Sequence, residues 1–414
     1  MSENKRRKFD FKRSKQRHIA LKLLYFGWDY GGLAQQSLDD NTVEGHLFKA
    51  LRKTCLIESR ESCNYNRCGR TDKGVSSCGQ VVNLDIRSNL IDENDPQNVG
   101  LFTPDGYIGD DSVSTGKQLC EINYVDTLNR VLPDHIRVLA WAPVNKEFSS
   151  RFDCQSRSYS YIFPRGDLCI GSMREALSHF IGHHDFRNLC SLDLKNGVLD
   201  HHRTIFKASI EPIRSIDVKV DQDANPYTFY EIHIVGKAFL YHQIRCIMTV
   251  LFLVGTKKES PEVVRDLLDI KKCKSKPNYN CASSLPLNLF ECEYASDKFP
   301  LGWKYDRKSI LNVHNNLKQI WLGYKTKAMM IESVISNLET SLLVDGTGSP
   351  VAGLDTWKDF GLGFDTMCDA KYTPLMSRPR DETLETKIEK MQAKQRSVDN
   401  FDKTIQVEDS TASK

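Results

Sequence analysis

Between Leu240 and Gly255 the chain is apolar nearly all round, with Leu240, Ile244, Ile247, Met248, Leu251, Leu253 and Val254 leaving no polar face. A helix of that kind is buried. Its most apolar part, Ile244 to Gly255, falls well short of the ~20 residues that cross a bilayer. The segment therefore reads as a core helix, covered on every side by the rest of a domain. The 414 residues, 40% hydrophobic and 27% charged, give enough chain for two or three such domains. One residue disturbs the segment. Arg245 lies inside it, and a buried guanidinium needs a carboxylate or a phosphate.

The rest of the chain alternates strand-like and helix-like stretches. His18 to Phe26 is strand-like and runs into the turn-rich Gly27-Trp28-Asp29-Tyr30-Gly31-Gly32. A helix follows, with Asn41 as its cap, Glu44 three residues on, and Val43, Leu47, Leu51 and Cys55 at helical spacing. Gln80, Val82, Leu84 and Ile86 alternate with polar residues as in a strand, whereas 91–118, rich in Asp, Asn, Gly and Ser, reads as a surface insertion. A second unit begins near Phe148. Period-two geometry puts Arg157, Tyr159, Tyr161 and Phe163 on one face of a strand. A helix is expected over 171–181, strands around 204–220 and 228–236, and, after the apolar helix, one capped by Ser260 with Pro261 in its first turn. Two rounds of strands and helices predict an α+β protein with two related halves. The division expected is a disordered basic arm at 1–17, halves at 18–147 and 148–300, a partly helical extension at 301–378 and a charged tail at 379–414, a helix fading into disorder. Within the extension, 308–340 reads as helical and 343–366 as Gly-rich and irregular.

Three features carry chemistry. Asp72 stands in Arg67-Cys68-Gly69-Arg70-Thr71-Asp72-Lys73-Gly74, a tight loop just before a strand. Rigidly held loops are where catalytic side chains gather, and a loop aspartate beside glycine is also the ordinary maker of an Asx-turn. Arg245 is a reasonable partner for it, since a nucleophilic carboxylate needs a nearby cation to stay ionised; a structural ion pair with another acid fits the spacing equally. Tyr159 lies on a strand face that bears two tyrosines and an arginine. Such aromatics stack a base drawn out of its helix, or simply fill a core.

Other classes find no support. The pairs His183-His184 and His201-His202 lack the i, i+4 spacing of a helical zinc site, and no Walker loop, Gly-x-Gly-x-x-Gly or Gly-x-Ser-x-Gly is present. Thirteen cysteines, none in a Cys-x-x-Cys pair, read as reduced thiols of a cytosolic or nuclear protein, Cys68 among them. The net charge of +3 hides a local excess: residues 5–17 carry eight Lys or Arg against one Asp, a run that binds phosphates, directs a chain to the nucleus or simply stays solvated.

Taken together, three blocks resemble one family. Gly69-Arg70-Thr71-Asp72-Lys73-Gly74-Val75 is similar to the Gly-Arg-Thr-Asp-x-Gly-Val signature of the TruA family of tRNA pseudouridine synthases, Arg157-Ser158-Tyr159-Ser160-Tyr161 to its Arg-x-Tyr-x-Tyr strand, and Phe239 to Arg245 to its Phe-x-x-x-x-(Val/Ile)-Arg helix start. Weaker matches keep the family's order over about residues 18–295, and Phe26 to Tyr30, Cys63 to Cys68 and Asp185 to Cys190 are most like the eukaryotic members that act on positions 38 and 39 of the anticodon stem-loop. Lys371 to Met376 and Leu384 to Ile388 extend that likeness. The resemblance implies the pseudouridine synthase fold: two ferredoxin-like halves forming a mixed, largely antiparallel sheet with flanking helices and a tRNA-binding cleft. It implies Asp72 as the nucleophile that breaks the N-glycosidic bond of uridine, by attack at the ribose or at the base. Tyr159 would stack on the flipped uracil and help remove its C5 proton, Arg245 would pair with Asp72, and Arg70 would fill the space the base vacates. It implies no cofactor and no metal, the tRNA anticodon arm as partner, no membrane, and, as in bacterial members, a homodimer. Nucleus and cytoplasm are the expected locations. A synthase of broader tRNA or mRNA specificity, and a non-catalytic RNA-binding protein on the same fold, are the rival readings.

Overall fold

In a computed structural model of the chain the described residues are 9–36, 40–109, 120–213, 228–341 and 372–393. They fall into two compact units. Unit 1 comprises Met1–Ser160 and Ser284–Trp357, unit 2 Tyr161–Ser283 and Lys358–Lys414.

Unit 1 is built on β1 (Gln16–Tyr25), α1 (Val43–Lys53), β2 (Asn66–Arg67), β3 (Ser76–Arg87), the two-residue β4 (Leu101–Phe102), α2 (Tyr124–Asn129) and β5 (Ile136–Pro143). β1 pairs antiparallel with both β3 and β5, and β2 pairs antiparallel with β3. Strand order β5-β1-β3-β2 with the chain order β-α-β-β-α-β is the ferredoxin-like arrangement. The alternation of side chains explains its two cores. Leu21, Leu23, Val82, Leu84 and Ile86 point one way and pack with Val43, Leu47 and Leu51 of α1 and with Tyr124, Val125 and Leu128 of α2. Ala20 and Val81 point the other way, into a second cluster with Cys68, Phe148, Cys154, Leu289 and Cys292, against which Tyr159 packs. That second face holds the chemistry described below. β6 (Cys154–Pro164) runs on from unit 1 into unit 2, and β10 (Leu287–Tyr294) lies parallel to β3, which makes the sheet of unit 1 mixed.

Unit 2 continues with α3 (Ile170–Ser178), β7 (Gly182–Asp185), β8 (His202–Pro212), β9 (Phe229–Gly236), α4 (Gln243–Gly255) and α5 (Val263–Leu268). β7, β8 and β9 pair antiparallel in that order. Setting aside the four-residue β7 and the short α5, the chain runs from β6 as β6-α3-β8-β9-α4-β10, the β-α-β-β-α-β succession a second time, in keeping with the two related halves expected. α4 is the apolar segment of the sequence. Every residue from Gln243 to Gly255 is buried except Arg245, which is half-buried. Phe252 packs edge-on to Tyr161 and Phe163, at ring-centroid distances of 6.0 and 5.6 Å. Among the described residues no helix is long and apolar enough to cross a membrane.

Several local expectations give way. β1 begins at Gln16, because Arg17 is a buried member of the fold rather than part of a disordered arm. Its guanidinium donates to Glu121 at 3.0 Å and to the carbonyls of Gln97 and Val99 at 2.9 Å each. The same bonds tie the insertion to β1, where Leu101 is buried, while the rest of 91–109 is exposed or half-buried, as a surface insertion is. Residues 1–8 of the basic arm and 110–118 of the insertion lie outside the described residues, as do 214–220 of the expected strand, the stretch 343–366, and 394–414 of the tail. α1 is capped by Thr42, whose Oγ1 accepts from Gly45 N at 3.1 Å, while Asn41 donates to the Asp29 carbonyl. α5 starts at Val263 without a side-chain cap, since the Ser260 backbone carbonyl, not its hydroxyl, accepts from Val263 N. α6 (Arg307–Ser341) spans the helical stretch expected at 308–340. The tail does begin as a helix, as expected: residues 384–393 are helical, and Glu385 pairs with Arg187 at 2.7 Å.

Candidate active site

The Asp72 loop is fixed by backbone bonds to separate parts of unit 1. Cys68 N donates to Val81 O at 2.8 Å, which starts the loop on β3. Gln80, also on β3, brackets Gly69, its Nε2 donating to the carbonyl at 2.8 Å and its Oε1 accepting from the amide at 3.4 Å. Leu33 N donates to Thr71 O at 3.1 Å, and the Thr71 hydroxyl meets Tyr25 Oη at 2.8 Å. Val75 N closes a turn on Asp72 O at 3.1 Å, with Gly74 in the left-handed conformation (φ 82°) that favours glycine at the third position of such a turn. Above the turn runs the segment from Gly27 to Gly32. A Cβ at Gly27 would lie 1.9 Å from Val75 O, so this glycine permits the two backbones to touch.

On this frame Asp72 is half-buried and Arg70 exposed. Tyr159 reaches the same neighbourhood from β6. Burial is the main reason its phenol is pushed well above the usual range, and the nearby Cys292, Cys68, Tyr25 and Asp72 add to the rise. Asp72, Arg70 and Tyr159 thus belong to one unit, with Asp72 near enough for its charge to reach the Tyr159 hydroxyl. The shared strand face divides. Tyr161 and Phe163 are core residues of unit 2, and Arg157 turns to the loop, donating through Nη2 to Cys68 O at 3.1 Å and to Arg151 O at 2.8 Å. Arg245 is placed by unit 2, where its Nε donates to Ala282 O at 2.7 Å and it lies close enough to Tyr161 to lower that phenol against the effect of burial.

The support beneath the loop leaves little trace in the sequence. Glu44, taken as a capping residue, is fully buried and binds Arg67 Nη1, accepts from Tyr65 Oη and Gln35 N at 3.0 Å each, and has Arg60 Nη2 at 3.7 Å. Arg67 is the first residue of the signature block, and its charge beside a tight loop was the one available signal. The three buried thiols Cys68, Cys154 and Cys292 gather their sulfurs within 4.8 Å of one another. They come from the loop, β6 and β10, a spacing no Cys-x-x-Cys pattern reports. Hydrogen bonds from Cys154 and Cys292, then the Arg157 charge, hold the Cys68 thiol below its usual range. Three sulfurs are a donor set that soft cations accept; the arrangement also simply shields the loop's origin from water.

Comparison with known proteins bears on the whole chain. The family model described as tRNA pseudouridine synthase matches residues 176–295. The tRNA pseudouridine(38/39) synthase of Bos taurus is 42% identical over 393 residues, covering 93% of this chain and 78% of that protein. Its counterpart from Saccharomyces cerevisiae is 41% identical over 335 residues, covering 78% and 67%. The tRNA pseudouridine synthase A of Methanosarcina mazei is 30% identical over 320 residues, covering 77% of this chain and 98% of its own length. Since that identity runs through both units, and an acidic loop braced in this way sits beside a strand tyrosine, the chain belongs to the TruA-type tRNA pseudouridine synthases, a family of isomerases.

Proposed function

We propose that this chain isomerises uridine to pseudouridine at positions 38 and 39 of the tRNA anticodon stem-loop, with Asp72 as the nucleophile. The observation that carries the reading is the Asp72 loop itself: a partly exposed carboxylate on a backbone pinned from β3, Leu33 and Tyr25, within electrostatic reach of Tyr159. Pinning keeps the carboxylate in position for attack, which is where most of the gain from a pre-placed group arises. The bond from ribose C1′ to N1 breaks, the freed base turns, C5 bonds to C1′, and the C5 proton is lost as N1 gains one. Tyr159 offers a ring on which the turned uracil stacks. Arg70, exposed on the same loop, takes the space the base leaves. Arg245 is assigned the pairing with Asp72. Its Nε is committed to a carbonyl, and its Nη groups are those a carboxylate would meet. The positions come from the names of the Bos taurus and Saccharomyces cerevisiae relatives.

A pseudouridine map of tRNA treated with wild type and with Asp72→Asn tests this. Product at 38 and 39 with wild type and none with the variant is expected, with tRNA binding retained. Product from Asp72→Asn removes Asp72 from its role, and wild-type product outside the anticodon arm replaces the narrow specificity with the broader one.

Two further parts of the proposal concern the chain as a whole. A homodimer is supported by α6, where Trp321, Leu322, Met330, Ile331 and Val334 are about 60% exposed on one helix; a monomer by light scattering would end that reading. Distribution between nucleus and cytoplasm rests on the basic run, of which Lys15 and Arg17 are buried in the fold. The readable part is therefore Lys5 to Lys8 with the exposed Lys12 and Arg13. Replacing Lys5, Arg6, Arg7 and Lys8 by alanine should shift the protein toward the cytoplasm, and unchanged nuclear levels refute the signal.

A further inference from the structure

A second thiol cluster, in unit 2, adjoins Arg245. Cys246 follows Arg245 on α4, and its Sγ is 3.5 Å from that of Cys281. The backbones beside the two cysteines are already joined. Ala282 N donates to Arg245 O at 3.2 Å, Arg245 Nε donates back to Ala282 O at 2.7 Å, and Thr249 Oγ1 donates to Asn280 O at 2.8 Å. A disulfide requires sulfurs about 2.05 Å apart, so roughly 1.5 Å of approach closes the bond. The polar surroundings are cationic. Lys276 Nζ stands 3.2 Å from Cys246 Sγ and also donates to Cys190 O at 3.1 Å, and His242 lies beside Cys281.

The two thiols differ in the way a reacting and a resolving thiol differ. Cys281 is half-exposed and Cys246 fully buried. Cys281 is held well below the usual thiol range, chiefly by the hydrogen bond from Cys246 and then by His242 and Lys276, while Cys246 is pushed up. Low-pKa, accessible thiols poised next to a resolving thiol are the ones that oxidants find. The Cys68, Cys154 and Cys292 set has no accessible member.

We propose that Cys246 and Cys281 are a redox-modification site for hydroperoxides, with Cys281 the reacting thiolate and Cys246 the resolving thiol. The Cys281 sulfur gives two electrons to the O–O bond of the peroxide, forming a sulfenic acid as hydroxide or alkoxide leaves. The Cys246 sulfur then attacks the sulfenic sulfur, the S–O bond breaks, and the Cys246 proton leaves with the hydroxide as water. Two thiols and one hydroperoxide yield one disulfide, one alcohol (or water) and one water. This chemistry does not rest on the reading of the RNA site.

The test uses the full chain, reduced and freed of reductant, then titrated with hydrogen peroxide, alkylated and peptide-mapped. A cross-linked peptide joining Cys246 to Cys281 is expected, reversed by dithiothreitol, with Cys68, Cys154 and Cys292 still alkylated after denaturation. Cys246→Ser should leave a sulfenic acid on Cys281 that dimedone captures, and Cys281→Ser should leave Cys246 unoxidised. Oxidation that falls first on the exposed Cys120 or on the buried set, with Cys246 and Cys281 still free, overturns the proposal. So does dimedone capture at Cys246 instead of Cys281.

Discussion

Glu44 gives the sharpest test of how the Asp72 loop is supported. The perturbation is Glu44→Ala, alone and with Arg67→Ala. The Glu44 side chain is 0% exposed and Arg67 18%. Removing the carboxylate strands a mostly buried guanidinium and deprives Tyr65 Oη and Gln35 N of their acceptor. Breaking a buried pair from one side costs about 3–5 kcal/mol. Because Arg67 can turn part of its guanidinium to water, the low end applies, about 3 kcal/mol. That corresponds to a urea midpoint lower by roughly 1–2 M for the transition of unit 1. Arg67→Ala alone also destabilises, since it leaves Glu44 buried with only the more distant Arg60 as a cation. The double variant should then cost less than the sum of the two, with a coupling of about 1–3 kcal/mol. The assay is equilibrium unfolding followed by circular dichroism, with hydrogen exchange of the α1 and β3 amides to attribute the loss to unit 1. Additivity within about 0.5 kcal/mol would show that the pair is not coupled and that the support assigned to it is wrong.

Three further outcomes are expected. Gly27→Ala should destabilise unit 1 and lower turnover, because its Cβ would meet Val75 O at 1.9 Å; Gly69→Ala, with nothing within 4 Å of the new Cβ, should fold normally, and equal thermal midpoints for the two variants would contradict the close approach. His201 is buried, its Nδ1 donates to Leu199 O at 3.1 Å, and burial lowers its pKa from 6.5. The unfolded chain therefore takes a proton below about pH 6.5 that the folded one refuses, and stability is lost as pH falls toward the folded pKa, by up to about 1.4 kcal/mol per pH unit. His201→Asn should flatten the fall in melting temperature between pH 7 and 5.5, and an unchanged slope refutes the assignment. Tyr159→Ala should weaken tRNA binding by about 1–3 kcal/mol, the worth of one stacked base, while Tyr159→Phe should not; equal losses would shift the role from the ring to the hydroxyl.

What the sequence made legible follows from the range of the forces involved. Val43, Leu47 and Leu51, and the apolar run of α4, could be read because a helix repeats its buried face every few residues, and nothing distant is needed to see it. Two rounds of strands and helices were readable for the same reason, though β2, α2 and β5 of the first half were not. Long-range pairings were not. Arg17 meets Glu121 across 104 residues, and that meeting turns a stretch of basic tail into the start of β1. Glu44 has the spacing of a capping residue, yet Arg67, 23 residues on, outcompetes the helix amide for its carboxylate. The docking of 372–393 on unit 2, through Tyr372 Oη and Leu375 N on Glu259 at 2.6 Å, likewise leaves no periodic trace. At the site, the signature block and family order pointed to Asp72, Tyr159 and Arg70, whereas Arg157, which buttresses Cys68 O, looked like one more residue of an aromatic strand.

The electrostatics around Tyr159 constrain the proposed reaction more tightly than its sequence position does. Burial is the largest cause of its raised pKa, and Asp72 the smallest of those named. Neutralising Asp72, as bond formation to the substrate would, therefore lowers the phenol only slightly and cannot ionise it. A free phenolate is not available when the C5 proton must leave. If Tyr159 takes part in that transfer, it does so as a relay, releasing its own proton to an acceptor as it receives another. Tyr25, whose Oη meets Thr71 Oγ1 at 2.8 Å, and Asp72 are within electrostatic reach of Tyr159 and are the candidates for that acceptor. On the proposed route with attack at the ribose, Asp72 would regain its carboxylate when C5 bonds to C1′, which frees it to accept the C5 proton. That proposed route would place proton loss after re-attachment of the base, with the same carboxylate opening and closing the sequence.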